Sequence, residues 1–269
     1  MYNQSAFYDR YTIPSISYPI PTIHIKNVDG TSLLEWLSVG DSHVGTIEAT
    51  EGTVDAVDKD RIAYFSGRGP SYFGFDTLLV DVAAPGVDIY APSSDDQPFT
   101  NNPATSDWQS MSGTSMASPH VAGAAALLKQ SHPDWSPMQI QSALMLTANN
   151  QLGVAQYLNN YADDGFDAAL AEMGAGKMQV ERADKTGLLL DESIANMAAA
   201  NPSLGGREKA LNTAYMVDND CGFKCTFIRT FTATEDASWT LHTENWIGNS
   251  KITVEPSSFD IRAGETQSI

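Results

Sequence analysis

The chain of 269 residues is 42% hydrophobic and 9% aromatic, enough apolar side chain for one large globular domain or parts of two or three. Its 33 acidic against 15 basic residues give a net charge of −18, which disfavours nucleic acid and anionic membrane as partners. The longest apolar run, Val121 to Leu128, is too short to cross a bilayer, and residues 1–10 lack the basic-then-apolar pattern of a signal peptide.

Residues 1–48 open rich in proline and β-branched side chains. A short strand is predicted over Thr22–Ile25, a turn over Asn27–Gly30, a short amphipathic helix over Thr31–Leu37 and a strand over Val44–Ile47. Between 62 and 92, two apolar β-rich runs end in Gly/Pro turns, Ile-Ala-Tyr-Phe-Ser-Gly-Arg-Gly-Pro and Leu-Leu-Val-Asp-Val-Ala-Ala-Pro-Gly. Near-continuous apolar strands beside helices predict a buried parallel sheet. Ser93 to Ser110 is polar and turn-rich and reads as a surface loop.

At Gly113-Thr114-Ser115 a tight turn passes directly into a helix. Pro119 is expected in its first turns, where a missing N–H matters least. From Val121 to Leu128 every residue is apolar or glycine, which predicts a helix buried on all sides. Ser115 then stands at the positive end of the helix dipole, among free backbone N–H groups, a setting suited to a nucleophile whose attack creates an oxyanion. An N-cap serine opening a core helix explains Gly-Thr-Ser equally well when those residues are taken alone. Further on, Ser136-Pro137 reads as a cap with proline at the first helical position, and residues 138–145 carry helical periodicity. Residues 149–172 read as a polar loop with a short helix, and 195–207 as a linker. From 211 the texture changes to alternating β segments, 226–232, 238–243, 251–254 and 259–261, which predict a β-sandwich.

The run Gly113-Thr-Ser-Met-Ala-x-Pro-x-Val-x-Gly123 resembles the catalytic-serine signature of the subtilisin-like serine peptidases, the subtilases of peptidase family S8. It is not the Gly-x-Ser-x-Gly elbow of α/β-hydrolases, because Ala117 stands where that motif has glycine. The resemblance implies that Ser115 is the nucleophile, that its own N–H donates to the oxyanion, and that Thr114 and Met116 are its active-site neighbours. Phe65-Ser-x-x-Gly-Pro and Asp81-Val-x-Ala-Pro-Gly resemble the segments that precede the serine in this family, which places Phe65 and Ser66 on the leaving-group side of the cleft. Residues 1–48 resemble the end of a protease-associated domain, and Leu211-Asn, Arg229-Thr-Phe-Thr and the closing 254–265 stretch resemble a fibronectin-III-like domain. The implied fold is α/β, with the serine-bearing half of a parallel-sheet catalytic domain over 49–190, a linker over 191–208 and the start of the β domain over 209–269. The chain thus resembles an interior fragment of a longer protein.

The remaining catalytic groups are hard to find in this sequence. His120 is on the helix of Ser115 but five residues on, about 140° round. His132 lies past the far end of that helix and reads as its cap, and His242 belongs to the β domain. Asp29-Gly-Thr and His43-Val-Gly-Thr superficially match the family's other two motifs, but residues 44–47 read as a strand where the family has a small-residue helix. The expected base, orienting acid and oxyanion asparagine are therefore missing, and the chain alone is expected to be inactive. Two rivals stand beside this: a non-catalytic binding protein of subtilase architecture, and a divergent peptidase using Asp29 and His43. Protein or peptide substrates and a secreted location follow from the resemblance, as does a disulfide between Cys221 and Cys225. Structural calcium is common in the family, but no metal ligand set or other cofactor site is assignable here.

Overall fold

The computed structural model describes residues 20–48 other than 21, 24 and 26, residues 60–94 other than 64 and 70–75, and residues 107–154, 170–243 and 251–269. The first helix, α1, runs Asn27–Leu37 and so absorbs the predicted turn. Asp29 in its first turn complements the helix dipole. Of the strand predicted over 22–25, residue 24 lies outside the described residues. Over 43–48 no ladder forms among the described residues. Val44 and Ile47 alternate as a strand would, yet they stay 84% and 53% exposed, with no sheet edge to join among the described residues.

Two parallel pairings build the α/β part. Strand β1 (Arg61–Ile62) runs parallel to β4 (Gly153–Val154), and Ala83 bridges parallel to Lys177. Ile62, Leu152 and Met173 form a small core beneath them, with Ala83 packed against it. Lys177 is locked to both neighbours, exchanging two backbone bonds with Asn149 and pairing its ammonium with Asp60. The preceding Gly176, at φ +115°, brings its Cα so close to the Asn149 carbonyl that any Cβ would clash with it.

The apolar run after Pro85 forms β2 (Ile89–Pro92), which pairs antiparallel with β3 (Trp108–Met111). The predicted loop therefore ends in a strand, and Tyr90 stacks on Trp108 across the pair. Helix α2 (Thr114–Ser131) follows, then α3 (Pro137–Leu146). Ser136 caps α3 in a reciprocal box with Gln139, with Pro137 at the first helical position as its sequence predicts. Ala124 and Leu128 of α2 pack against Ile140, Ala143 and Leu144 of α3, Ala183 of α5 (Val180–Asp184) and Leu189 of β5 (Leu188–Leu189). The small residues let these backbones approach closely.

Helix α2 departs from its reading in one respect. It is buried along one stripe only: Ala122, Gly123, Ala126 and Leu127 are exposed, because nothing among the described residues packs on that face. Pro119 is the sixth helical residue, in the early turns as expected, but far enough in that its missing N–H leaves a gap in the helical ladder.

Within 149–172, besides β4, the short α4 (Leu170–Met173) forms. The stretch read as a linker contains α6 (Ile194–Ala199), capped by the Ser193 hydroxyl, because that cap and three alanines favour helix. Strand β5 then joins β6 (Thr230–Ala233) and β9 (Thr266–Ser268) in one antiparallel sheet, while β7 (Ala237–Thr240) pairs with β8 (Ser258–Ile261). Leu188, Leu190, Phe231, Ala233 and Ile261 form their shared core. Residues 251–254, read as a strand, carry no ladder among the described residues. Cys221 and Cys225 are joined, with Cα atoms 5.8 Å apart.

Candidate active site

The start of α2 is where local chemistry concentrates. Gly113 is the N-cap residue, with φ 163° and ψ 161°, and it has no side chain to cap the helix. Thr114 is then the first helical residue and Ser115 the second. Met116 and Ala117 donate to the Gly113 carbonyl at 3.0 and 3.3 Å, closing the first turn. The N–H groups of Thr114 and Ser115 precede any intrahelical acceptor and have none among the described residues. The side chains of Thr114 and Ser115 are exposed, and Met116 is half-buried with its sulfur near the Gly113 Cα. A hydroxyl flanked by unsatisfied N–H groups at the positive end of an 18-residue helix can attack a carbonyl and hold the resulting oxyanion.

The turn before α2 is fastened to the one before β2. Gly113 N–H donates to the Gly86 carbonyl at 2.7 Å. Asp88 N–H donates to Ser112 Oγ at 2.8 Å, and Ser112 Oγ donates to Asp88 Oδ1 at 3.2 Å.

The histidines take other roles. His120 Nδ1 sits 2.8 Å from the Met116 carbonyl, one turn back on its own helix. His132 is the C-cap of α2: its N–H donates to the Leu128 carbonyl, its Nε2 lies 3.0 Å from Asp184, and its ring stacks on Trp135 at 3.8 Å. His43 folds back on α1, with Nε2 3.0 Å from the Val39 carbonyl and its ring edge-on to Trp36. Asp29 is exposed in the first turn of α1, and no hydrogen bond joins it to His43 among the described residues.

Phe65 and Ser66 are half-buried, in a turn closed by Ser66 N–H on the Ala63 carbonyl. That turn is anchored on α4, through Gly69 N–H to the Ala171 carbonyl and Arg68 to Glu172. A cavity of about 620 Å³ opens elsewhere, between α5 and β7, and its lining of Gly187, Phe231, Trp239 and their neighbours includes no residue of the α2 start. Among the described residues no three His, Cys, Asp or Glu side chains group as metal ligands. No helix among them is long and apolar enough to cross a membrane.

The family model of the Subtilase family, peptidase S8, matches residues 14–176. The chain belongs to the subtilase family. Its relatives include subtilisin-like protease SBT1.6 of Arabidopsis thaliana, 36% identical over 175 residues that cover 64% of this chain and 23% of the relative. Subtilisin-like protease SBT3 of Solanum lycopersicum is 32% identical over 203 residues, 74% of this chain and 26% of the relative. A third, the CO(2)-response secreted protease of Arabidopsis thaliana, is 33% identical over 176 residues, 64% of this chain and 22% of the relative. The subtilase chain described here thus spans about a quarter of the length of these curated relatives.

Proposed function

We propose that this subtilase chain carries the nucleophile of a serine endopeptidase, and that the nucleophile is Ser115. The observation that carries the reading is the exposed Ser115 hydroxyl at the second position of α2, beside two backbone N–H groups without acceptors among the described residues. In the proposed reaction Ser115 Oγ bonds to the scissile carbonyl carbon as a general base takes its proton. The tetrahedral oxyanion accepts from the Ser115 N–H, collapse expels the amine with a proton from the base, and water then hydrolyses the acyl-Ser115.

The base, the orienting acid and the side-chain oxyanion donor are assigned to residues outside this chain. His120 and His132 are held by Met116 and Asp184, which supports that assignment. The same reading divides the chain into the end of a protease-associated domain (1–48), the serine-bearing half of the catalytic domain (49–190), a linker (191–208) and the start of a fibronectin-III-like domain (209–269). Phe65 and Ser66 are assigned to the leaving-group side of the cleft. Substrates are proteins or peptides. A secreted location is supported by the Cys221–Cys225 disulfide and by one relative that is named as secreted.

The test compares residues 1–269, a longer product that includes upstream coding sequence, and the Ser115→Ala variant of each, using casein and a fluorophosphonate. Turnover and labelling only in the longer product, lost in Ser115→Ala, are expected. Turnover by residues 1–269 that Ser115→Ala abolishes would promote His43 to the base. A longer product that neither labels nor turns over would favour the non-catalytic binding protein.

A further inference from the structure

We propose that Asp88 and Ser112 form a clasp that positions Ser115, and that they are positioning residues for its attack; the inference rests on the assignment of Ser115 as nucleophile. The register of the β2–β3 pair sets it up. Ile89 lies opposite Met111, so the next residues outward, Asp88 and Ser112, face each other where the pair gives way to α2. There the Ser112 hydroxyl makes two bonds at once. It accepts from Asp88 N–H at 2.8 Å and donates its one proton to Asp88 Oδ1 at 3.2 Å. The hydroxyl rotor is thereby fixed, and Ser112, three residues from Ser115, is committed to holding the chain.

Helix α2 needs such a hold, because its N-cap residue is a glycine that makes no side-chain cap. The direction in which the chain enters the helix is set instead by the clasp and by Gly113 N–H on the Gly86 carbonyl at 2.7 Å. The two turns are in close contact there. A Cβ on Gly86 would lie 2.8 Å from the Gly113 carbonyl oxygen and 3.3 Å from Ala117 Cβ. Asp88 itself adopts φ +51°, a left-handed conformation that Asp and Asn tolerate better than most side chains. Ser115, two residues past Gly113 and inside the first helical turn, is carried rigidly by whatever fixes that turn. A shift of about 1 Å at a reacting group can cost about a hundredfold in rate.

Both clasp side chains are exposed, so their hydrogen bonds trade against bonds to water and add little to global stability. Substitutions there leave a folded protein in which position can be tested apart from folding. The variants are Ser112→Ala, Ser112→Thr, Asp88→Ala, Asp88→Asn and the double Ser112→Ala/Asp88→Ala, made in the full-length protein with Ser115→Ala as control. The measurements are kcat and KM separately, the second-order rate of fluorophosphonate labelling, the active-site titre from burst amplitude, and Tm.

Ser112→Ala and Asp88→Ala are expected to lower kcat and the labelling rate by about tenfold, with KM and titre unchanged; Tm should stay unchanged in Ser112→Ala and fall slightly in Asp88→Ala, which places alanine at φ +51°. Ser112→Thr keeps the hydroxyl, Asp88→Asn keeps the acceptor and the tolerated backbone, and both should recover most of the rate. The double variant should be no worse than either alanine variant, because the two groups act as one unit. Full kcat in either alanine variant overturns the clasp. So do losses that multiply in the double variant, and so does a loss confined to the titre with kcat per site unchanged. Labelling that survives Ser115→Ala overturns the nucleophile assignment instead, a result the clasp variants cannot mimic.

Discussion

Pro119 follows Ser115 by four residues on α2, so the N–H that would close a helical bond onto the Ser115 carbonyl is absent. Proline in a helix interior also crowds the carbonyl four residues back, and here that carbonyl belongs to Ser115, the proposed nucleophile. Pro119→Ala should supply the missing donor and stabilise the protein by about 1 kcal/mol, out of the ~3 kcal/mol that proline costs in an unconstrained helix. It should at the same time slow fluorophosphonate labelling of Ser115 severalfold, because the first turn relaxes. Thermal denaturation beside labelling kinetics checks both; a fall in Tm would mean that the proline ring is needed for packing.

Met116 is half-buried, with its sulfur against the turn that precedes Ser115 and its carbonyl holding the His120 ring. Peroxide should convert it to a polar sulfoxide beside Ser115, the proposed nucleophile, and lower kcat of the full-length protein. Met116→Ala should keep its rate through the same treatment. Equal peroxide sensitivity in wild type and variant would place the damage at another residue.

The parts of this architecture that were legible in the sequence are those decided within a few residues. The Ser136-Pro137 cap, the helix opening behind Gly113 and the His132 cap are local, and each forms where its residues predict. Features that depend on distant segments were not legible. Trp108–Ser110 reads as loop until β2 is brought beside it, and only that register places Asp88 against Ser112. The exposed side of α2 reads as buried because composition reports which surface can be covered, whereas exposure depends on what lies opposite. The α6 helix escaped notice because its alanine-rich sequence carries no apolar stripe. His43 illustrates the reverse case: its motif likeness to a catalytic histidine is carried by the neighbouring residues 44–46, and the ring itself is occupied by Val39 and Trp36.

Arg229 is 1% exposed, and its guanidinium is satisfied by carbonyls: Thr213 and Tyr215 at 2.7 Å and Ile228 at 2.9 Å. Burial lowers its pKa, and the nearby Tyr215 and Glu192 act in the opposite direction. The arginine fastens the 213–215 segment to β6. Arg229→Ala would leave the buried Thr213 carbonyl without its donor and open space around the segment, and should destabilise the protein by about 3 kcal/mol. Arg229→Lys, with a point ammonium in place of the planar fork, should recover only part of this. Urea denaturation of the three proteins measures the differences.

The Cys221–Cys225 disulfide closes a very short loop whose tip, Phe223, is fully exposed. Loop-closure entropy for so few residues amounts to about 2 kcal/mol, less than a long loop would give. Protein made in an oxidising compartment should show both thiols blocked by mass. The Cys221→Ala/Cys225→Ala variant should melt a few degrees lower without loss of fluorophosphonate labelling. Two alkylatable thiols in the wild-type protein would mean that the bridge does not form.

Glu192 ties α6 to the segment leading into β6. Its carboxylate accepts from Asn212 N–H at 2.7 Å, from Asn196 Nδ2 at 2.7 Å and from Ser193 N–H at 2.6 Å. Partial burial alone would raise its pKa, but these donors outweigh burial and hold it below the ordinary glutamate value of 4.5. A carboxyl whose pKa is lower when folded binds fewer protons in the native state than in the unfolded one. Its stabilising contribution is therefore complete above pH 4.5 and is lost as the pH falls through the lowered native value. Glu192→Gln keeps one acceptor oxygen and removes the titration. At pH 7 this variant should be less stable than wild type by about 1 kcal/mol. Part of the acid destabilisation of the wild type should then vanish, so the two stabilities converge as the pH falls through the lowered native value. Urea midpoints measured from pH 7 down to pH 3 test this directly, and a gap that stays constant with pH would mean that the Glu192 charge adds nothing beyond its shape.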